Sequence, residues 1–126
     1  MACIVIADDD VDVADFISYS FEAAGHKVHT ALDGVSALGL ARRYLPDLVV
    51  LDNGMPGLTG LEVVAALRGD AGTAHLPILM ITASDLGDEA ANVDMLVRKP
   101  LRPRQLTTLM ADMLARGNRP ETMSAD

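Results

Sequence analysis

The sequence predicts an α/β fold, a parallel sheet covered by helices on both faces. Three observations carry that expectation. Five short runs read as strands, at Cys3–Ala7, Lys27–Ala31, Leu48–Asp52, Ile78–Thr82 and Asp94–Val97. Helical patterns separate them. The first, third and fourth runs (CIVIA, LVVLD, ILMIT) are nearly continuous apolar stretches, as in strands buried on both faces. Strand and helix alternate along the whole chain, which implies a parallel sheet with right-handed crossovers.

The elements follow in order. Val13, Phe16, Ile17, Ser20, Phe21 and Ala24 keep one helical face over residues 11–24, and Gly25 is a natural C-terminal stop. Lys27–Ala31 (KVHTA) mixes polar and apolar residues, so it reads as an edge strand. A second helix is expected over 34–44, with Leu38, Ala41 and Leu45 on its face and Pro46 ending it. Residues 58–69 read as a third, with Leu61, Val64, Ala65 and Gly69 on one side. The last helix, about 103–116, has the clearest period in Leu106, Leu109, Met110, Met113 and Leu114. Residues 83–93 (ASDLGDEAANV) leave room for two helical turns at most. A polar tail, 117–126, follows the expected domain of residues 1–116.

Composition narrows the functional classes. The 126 residues suit one domain with its own core, half of them are hydrophobic and 22% are charged. A formal net charge of −8 repels phosphate backbones and argues against direct nucleic-acid binding. Apolar runs fall far short of the roughly 20 residues needed to cross a bilayer. The start, MACIVIADDD, has no basic n-region and does not read as a signal peptide. Cys3 is the one cysteine and reads as a buried strand residue in a reducing, cytoplasmic setting.

In parallel α/β sheets the working site lies beyond the carboxyl ends of the strands. Asp8, Asp9 and Asp10 follow the first strand, Asp52 ends the third, Thr82 ends the fourth, and Lys99 follows the fifth. Several acids, a hydroxyl and an ammonium therefore share one rim. Hard carboxylate oxygens suit Mg²⁺, which prefers one or two protein carboxylates plus a phosphate. Each residue also has a plainer reading. Asp10 and Asp12 fit better as helix caps, Thr82 alone would be an ordinary strand residue, and Lys99 alone a surface lysine. Crowded carboxylates repel, so at least one should titrate high unless a cation stands among them.

These motifs resemble the bacterial two-component response-regulator receiver domain, over about residues 3–116. IVIADDD resembles the family's first strand and acidic pair. PDLVVLDNGMPGLTG resembles the phosphoacceptor segment. LPILMITAS carries the strand-four threonine, and VRKP the lysine-proline pair. The resemblance implies a flavodoxin-like, CheY-like doubly wound sheet of five parallel strands in order 2-1-3-4-5. It implies phosphorylation of Asp52 by a sensor histidine kinase or histidine phosphotransfer protein, and signalling through contacts with a downstream target protein. It also implies Mg²⁺ held by Asp9 directly, by Asp8 mainly through water, by Asp52 and by the backbone carbonyl of Gly54. Thr82 and Lys99 would contact phosphoryl oxygens, and Lys99–Pro100 would be cis. The residues flanking the acceptor, Asn53, Gly54 and Ser84, would tune the lifetime of the phosphoryl group.

Two departures from the family stand out. Its strand-five aromatic, the usual switch, is Leu96 here, and all four aromatic residues lie in the first 44 positions. The stretch from Thr82 to Lys99 is short, and the loss falls on the fourth helix, which should be atypical or missing. Signalling is then expected to proceed by ordering or shifting residues 83–93. The chief competing reading is a receiver-like binding module that works without phosphorylation. A Mg²⁺-dependent phosphatase would want a second acid two residues after the nucleophile, where Gly54 stands. A flavin protein would want a hydroxyl-rich phosphate loop where the acids are. The expected protein is a phosphoacceptor rather than an enzyme, with no output domain in the chain and no membrane partner.

Overall fold

A computed structural model describes residues 1–83, 86–100 and 102–117. One sheet holds five parallel strands, β1 (Cys3–Ala7), β2 (Lys27–Ala31), β3 (Leu48–Asp52), β4 (Ile78–Thr82) and β5 (Met95–Arg98), in order β2-β1-β3-β4-β5. The helices are α1 (Val11–Ala23), α2 (Gly34–Tyr44), α3 (Gly60–Arg68) and α4 (Pro103–Gly117). Alternate residues of the central strands serve opposite faces, as the pleat dictates. Val49, Leu51, Ile78 and Met80 pack with Ala37 and Ala41 of α2 and Val63, Val64 and Leu67 of α3. Ile4, Ile6, Val50, Leu79 and Ile81 pack with Ile17 and Phe21 of α1 and Leu106, Met110 and Leu114 of α4. Both faces of β3 and β4 are thereby buried, which is why LVVLD and ILMIT read as unbroken apolar runs. The strand KVHTA is an edge, as its mixed pattern suggested.

Several helix details differ from the sequence reading. On α1 the buried positions are Ala14, Ile17 and Phe21, whereas Phe16 is 42% exposed. On α2 the buried face is Gly34, Ala37 and Ala41. Leu45 lies past the helix in left-handed backbone (φ 44°) and is exposed, so it does not continue that face. α3 starts at Gly60 because a reciprocal capping box fixes its entry. The Thr59 hydroxyl accepts from the Glu62 amide while the Glu62 carboxylate accepts from the Thr59 amide. Its buried residues are Gly60, Val63, Val64 and Leu67, and Ala65 faces out. Cys3 is only half-buried; burial first, then the nearby Asp47 charge, push its thiol pKa up.

Between β4 and β5 the described residues hold one 3₁₀ turn, Gly87–Ala90, in place of a fourth crossover helix. Leu86 and Val93 pin this stretch to the core on the α2–α3 side. Arg68 adds a polar anchor. Its guanidinium donates to the carbonyls of Asn92 (2.9 Å), Ala74 (2.8 Å) and Leu76 (2.7 Å) and to Asp94 Oδ2 (3.0 Å). Asp94 Oδ2 also accepts the Ile78 amide at 2.7 Å. Asp94 is thus engaged as a plug at the start of β4, and β5 begins one residue later than expected, at Met95. The short turn leaves Leu96 36% exposed, although its register partner Met80 is fully buried. Gly117, expected to open the tail, closes α4, and 118–126 lie outside the described residues.

Candidate functional site

The backbone delivers the rim residues one strand at a time. The Asp8 amide donates to the Ala31 carbonyl (3.1 Å), which prolongs the β1–β2 ladder and leaves Asp8 3% exposed. Asp8 Oδ1 accepts the Asp10 amide at 2.9 Å. Asp10 is the N-cap of α1, accepting from the amides of Asp12 and Val13, so the capping reading holds for Asp10; Asp12 sits one step inside, in the first turn, and does not cap the helix. Asp9 is exposed beside them. Asp52 ends β3 at 2% exposure, and the next amide, that of Asn53, reaches the Ile81 carbonyl of β4 (2.9 Å). Thr82 ends β4, also 2% exposed, and its carbonyl accepts the Lys99 amide at 2.8 Å. Lys99–Pro100 is cis.

These strand ends bring the charged groups together. Carboxylate oxygens of Asp8, Asp9 and Asp52 lie within 4.8 Å of one another. Lys99 Nζ donates to Asp52 Oδ2 at 2.9 Å, and the Gly54 amide donates to Asp52 Oδ1 at 3.0 Å. Leu96 stands apart from this cluster, exposed on β5. Ser84 lies outside the described residues.

Burial drives the Asp8 pKa from 3.8 up to about 6, and the charge and hydrogen bond of Asp52 push the same way, against the Asp10 amide and Lys99. The Lys99 ammonium is raised, chiefly by its hydrogen bond to Asp52 and then by the surrounding acids, against burial. Carboxylates crowded so that one of them resists ionisation leave room for a cation among them. The donors of the cluster are all hard oxygens, the set Mg²⁺ takes. Beside the rim opens a cavity of about 480 Å³, walled by Val13, Ile81 and Leu106 and flanked by Asp8, Asp10 and Lys99.

Other contacts around the site escaped the sequence reading, which named Asn53 only as a flanking residue. Asn53 Oδ1 accepts the Leu61 amide at 2.9 Å and so ties the residue after Asp52 to the first turn of α3. The Gly34 amide meets the Pro56 carbonyl at 3.4 Å, and a Cβ at Gly34 would lie 2.1 Å from the Leu58 carbonyl oxygen. The T-x-x-E pattern at 59–62 was a readable helix start. Nothing local announces the bond between Asn53 and Leu61.

The profile described as "Response regulator receiver domain" matches residues 4–111. Among curated proteins, the transcriptional regulatory protein AfsQ1 of Streptomyces coelicolor is 35% identical over 99% of this chain and 56% of its own length. The alkaline phosphatase synthesis transcriptional regulatory protein PhoP of Bacillus subtilis is 37% identical over 90% of this chain and 48% of its own. The chain therefore spans about half the length of these relatives. Among solved structures, the chemotaxis response regulator CheY4 of Vibrio cholerae superposes with a TM-score of 0.79 at 30% identity, covering 90% of this chain and 98% of that one.

Proposed function

Because the chain belongs to the response regulator receiver domain family, we propose that it takes a phosphoryl group on Asp52 and relays that state through protein contacts. The observation that carries this reading is the convergence of Asp8, Asp9 and Asp52 within 4.8 Å, with Lys99 Nζ 2.9 Å from the acceptor. In the transfer, the P–N bond of a donor phosphohistidine breaks as an Asp52 oxygen bonds to phosphorus. The imidazole nitrogen leaves with the electron pair. The donor is a sensor histidine kinase or a histidine phosphotransfer protein, and the 480 Å³ cavity beside the rim is roomy enough to admit its side chain.

Lys99 has three donors. It can hold Asp52 Oδ2 and still turn an N–H toward an incoming phosphoryl oxygen, while Thr82 meets another. Asp8, Asp9, Asp52 and the Gly54 carbonyl would hold Mg²⁺. When bound, the ion supplies positive charge against the phosphoryl oxygens and the clustered carboxylates. The reading makes the chain a phosphoacceptor rather than an enzyme, with residues 1–116 as the working unit, a cytoplasmic setting and a target protein as output. Its charge of −8 disfavours direct contact with nucleic acid or an acidic membrane surface.

The stretch 86–93, which meets the core through Leu86 and Val93, carries the conformational response, since Leu96 offers no ring to turn inward. Beryllofluoride, a phosphoryl mimic, tests both parts. With Mg²⁺ it should shift the amide resonances of residues 8–10, 52–54 and 99 and change exchange protection across 86–93. The exposed Leu96 and the single 3₁₀ turn among the described residues between β4 and β5 favour one other reading, a phosphorylation-independent binding module. Amide resonances indifferent to the mimic would establish that module instead. Shifts at the rim with unchanged protection at 86–93 would refute the proposed route of signalling.

A further inference from the structure

We propose that Asn53 is a positioning residue that sets the affinity of the rim for its divalent cation, acting through the backbone of Gly54. The inference rests on the function just proposed. Asn53 is half-buried, and its side-chain carbonyl is committed to the Leu61 amide at 2.9 Å. Its own carbonyl accepts the Gly60 amide at 3.4 Å, and its amide reaches Ile81 at 2.9 Å. The residue is thereby fixed to β4 on one side and to the first turn of α3 on the other. Gly60 makes the second attachment possible, because a Cβ there would lie 2.9 Å from the Asn53 Cα.

Gly54 hangs directly from this clamp. It has the backbone freedom of glycine, and a Cβ at its position would make only ordinary contact, 3.6 Å from Asp52 Oδ1. Gly54 is itself exposed. What restrains the Gly54 carbonyl is the hydrogen bond that the Gly54 amide donates to Asp52 Oδ1, the fixed Asn53 before it and the buried Met55 after it. Release of the Asn53 side chain leaves only backbone bonds at this end of the 53–60 loop and loosens it, and a carbonyl that must be ordered on binding gives weaker coordination. Asn53 thus acts on cation affinity, with its amide oxygen turned to the helix.

The test is a Mg²⁺ titration of the full chain followed by amide resonances. Asn53→Leu keeps the volume and removes the acceptor. Its Mg²⁺ dissociation constant should rise about fivefold, the worth of one modest hydrogen bond. Thr59→Ala, which weakens the same helix start through the capping box, should leave Mg²⁺ affinity within twofold of wild type. Equal losses in both variants would reduce Asn53 to a structural role and overturn the proposal, as would an unchanged affinity in Asn53→Leu. A readout on the unaltered chain covers the case in which Asn53→Leu fails to fold. Reciprocal coupling requires Mg²⁺ to slow exchange of the Leu61 amide more than that of Glu62. Equal effects on the two amides would also overturn it. A wild-type chain that binds no Mg²⁺ would defeat the proposed function itself and this inference with it.

Discussion

Asp8→Asn converts the most strained charge of the rim into a neutral group of the same shape. The wild-type carboxyl is 3% exposed and its pKa rises from 3.8 to about 6 in the folded protein. The folded state therefore binds this proton more tightly than the unfolded chain does. The favourable contribution is complete below about pH 4 and is lost as pH rises to about 6. At neutral pH the charged form costs the cation-free fold up to about 3 kcal/mol. Asn keeps an oxygen for the Asp10 amide, so the variant should recover most of that. Thermal unfolding followed by circular dichroism, in EDTA at pH 7.5, should show a higher Tm by several degrees, up to about 10 °C. The gain should shrink at pH 5 and vanish near pH 4. Mg²⁺ should then stabilise wild type more than Asp8→Asn, since the variant keeps only the Asp9–Asp52 repulsion to relieve. A variant no more stable than wild type in EDTA at pH 7.5 would refute the electrostatic reasoning.

Further outcomes follow from the same geometry. Lys99→Ala removes the ammonium 2.9 Å from Asp52 Oδ2. The folded variant should accept phosphoryl groups at least about 100-fold more slowly, measured as the rate of modification by a small phosphodonor. Gly34→Ala should destabilise the protein by about 2 kcal/mol in urea unfolding despite the better helix former, because the new Cβ would press on the Leu58 carbonyl 2.1 Å away. Gly54→Asn should leave Tm within a few degrees, since a Cβ there meets only Asp52 Oδ1 at 3.6 Å. It should change the dephosphorylation rate several-fold, read by loss of the phosphoryl group over time, and an unchanged rate would remove Gly54 from control of lifetime.

The strands were readable because burial on both faces writes itself into the sequence. LVVLD and ILMIT leave no polar side exposed, and the residues that break them, Asp52 and Thr82, are the ones the rim uses. The candidate site was legible for the same reason, since a buried acid at a strand end conflicts with its apolar neighbours. Helix faces were read less well. Phe16 is apolar but looks outward, and Leu45 is apolar but sits beyond the helix. Apolar character marks what can be buried and does not fix which residues the sheet meets. The bonds that hold the shortened stretch were not legible at all. Arg68 and Asp94 are 26 residues apart, and their meeting depends on the finished topology. The same holds for Gly34 against Leu58, a close approach visible only once α2 and the 53–60 loop are in place.

Intact-mass spectrometry after incubation with acetyl phosphate and Mg²⁺, wild type beside Asp52→Ala, bears most directly on the central claim. A Mg²⁺-dependent phosphoryl adduct on wild type, absent from Asp52→Ala, is the expected result. A folded wild type that stays unmodified, or an adduct that persists in Asp52→Ala, would contradict it.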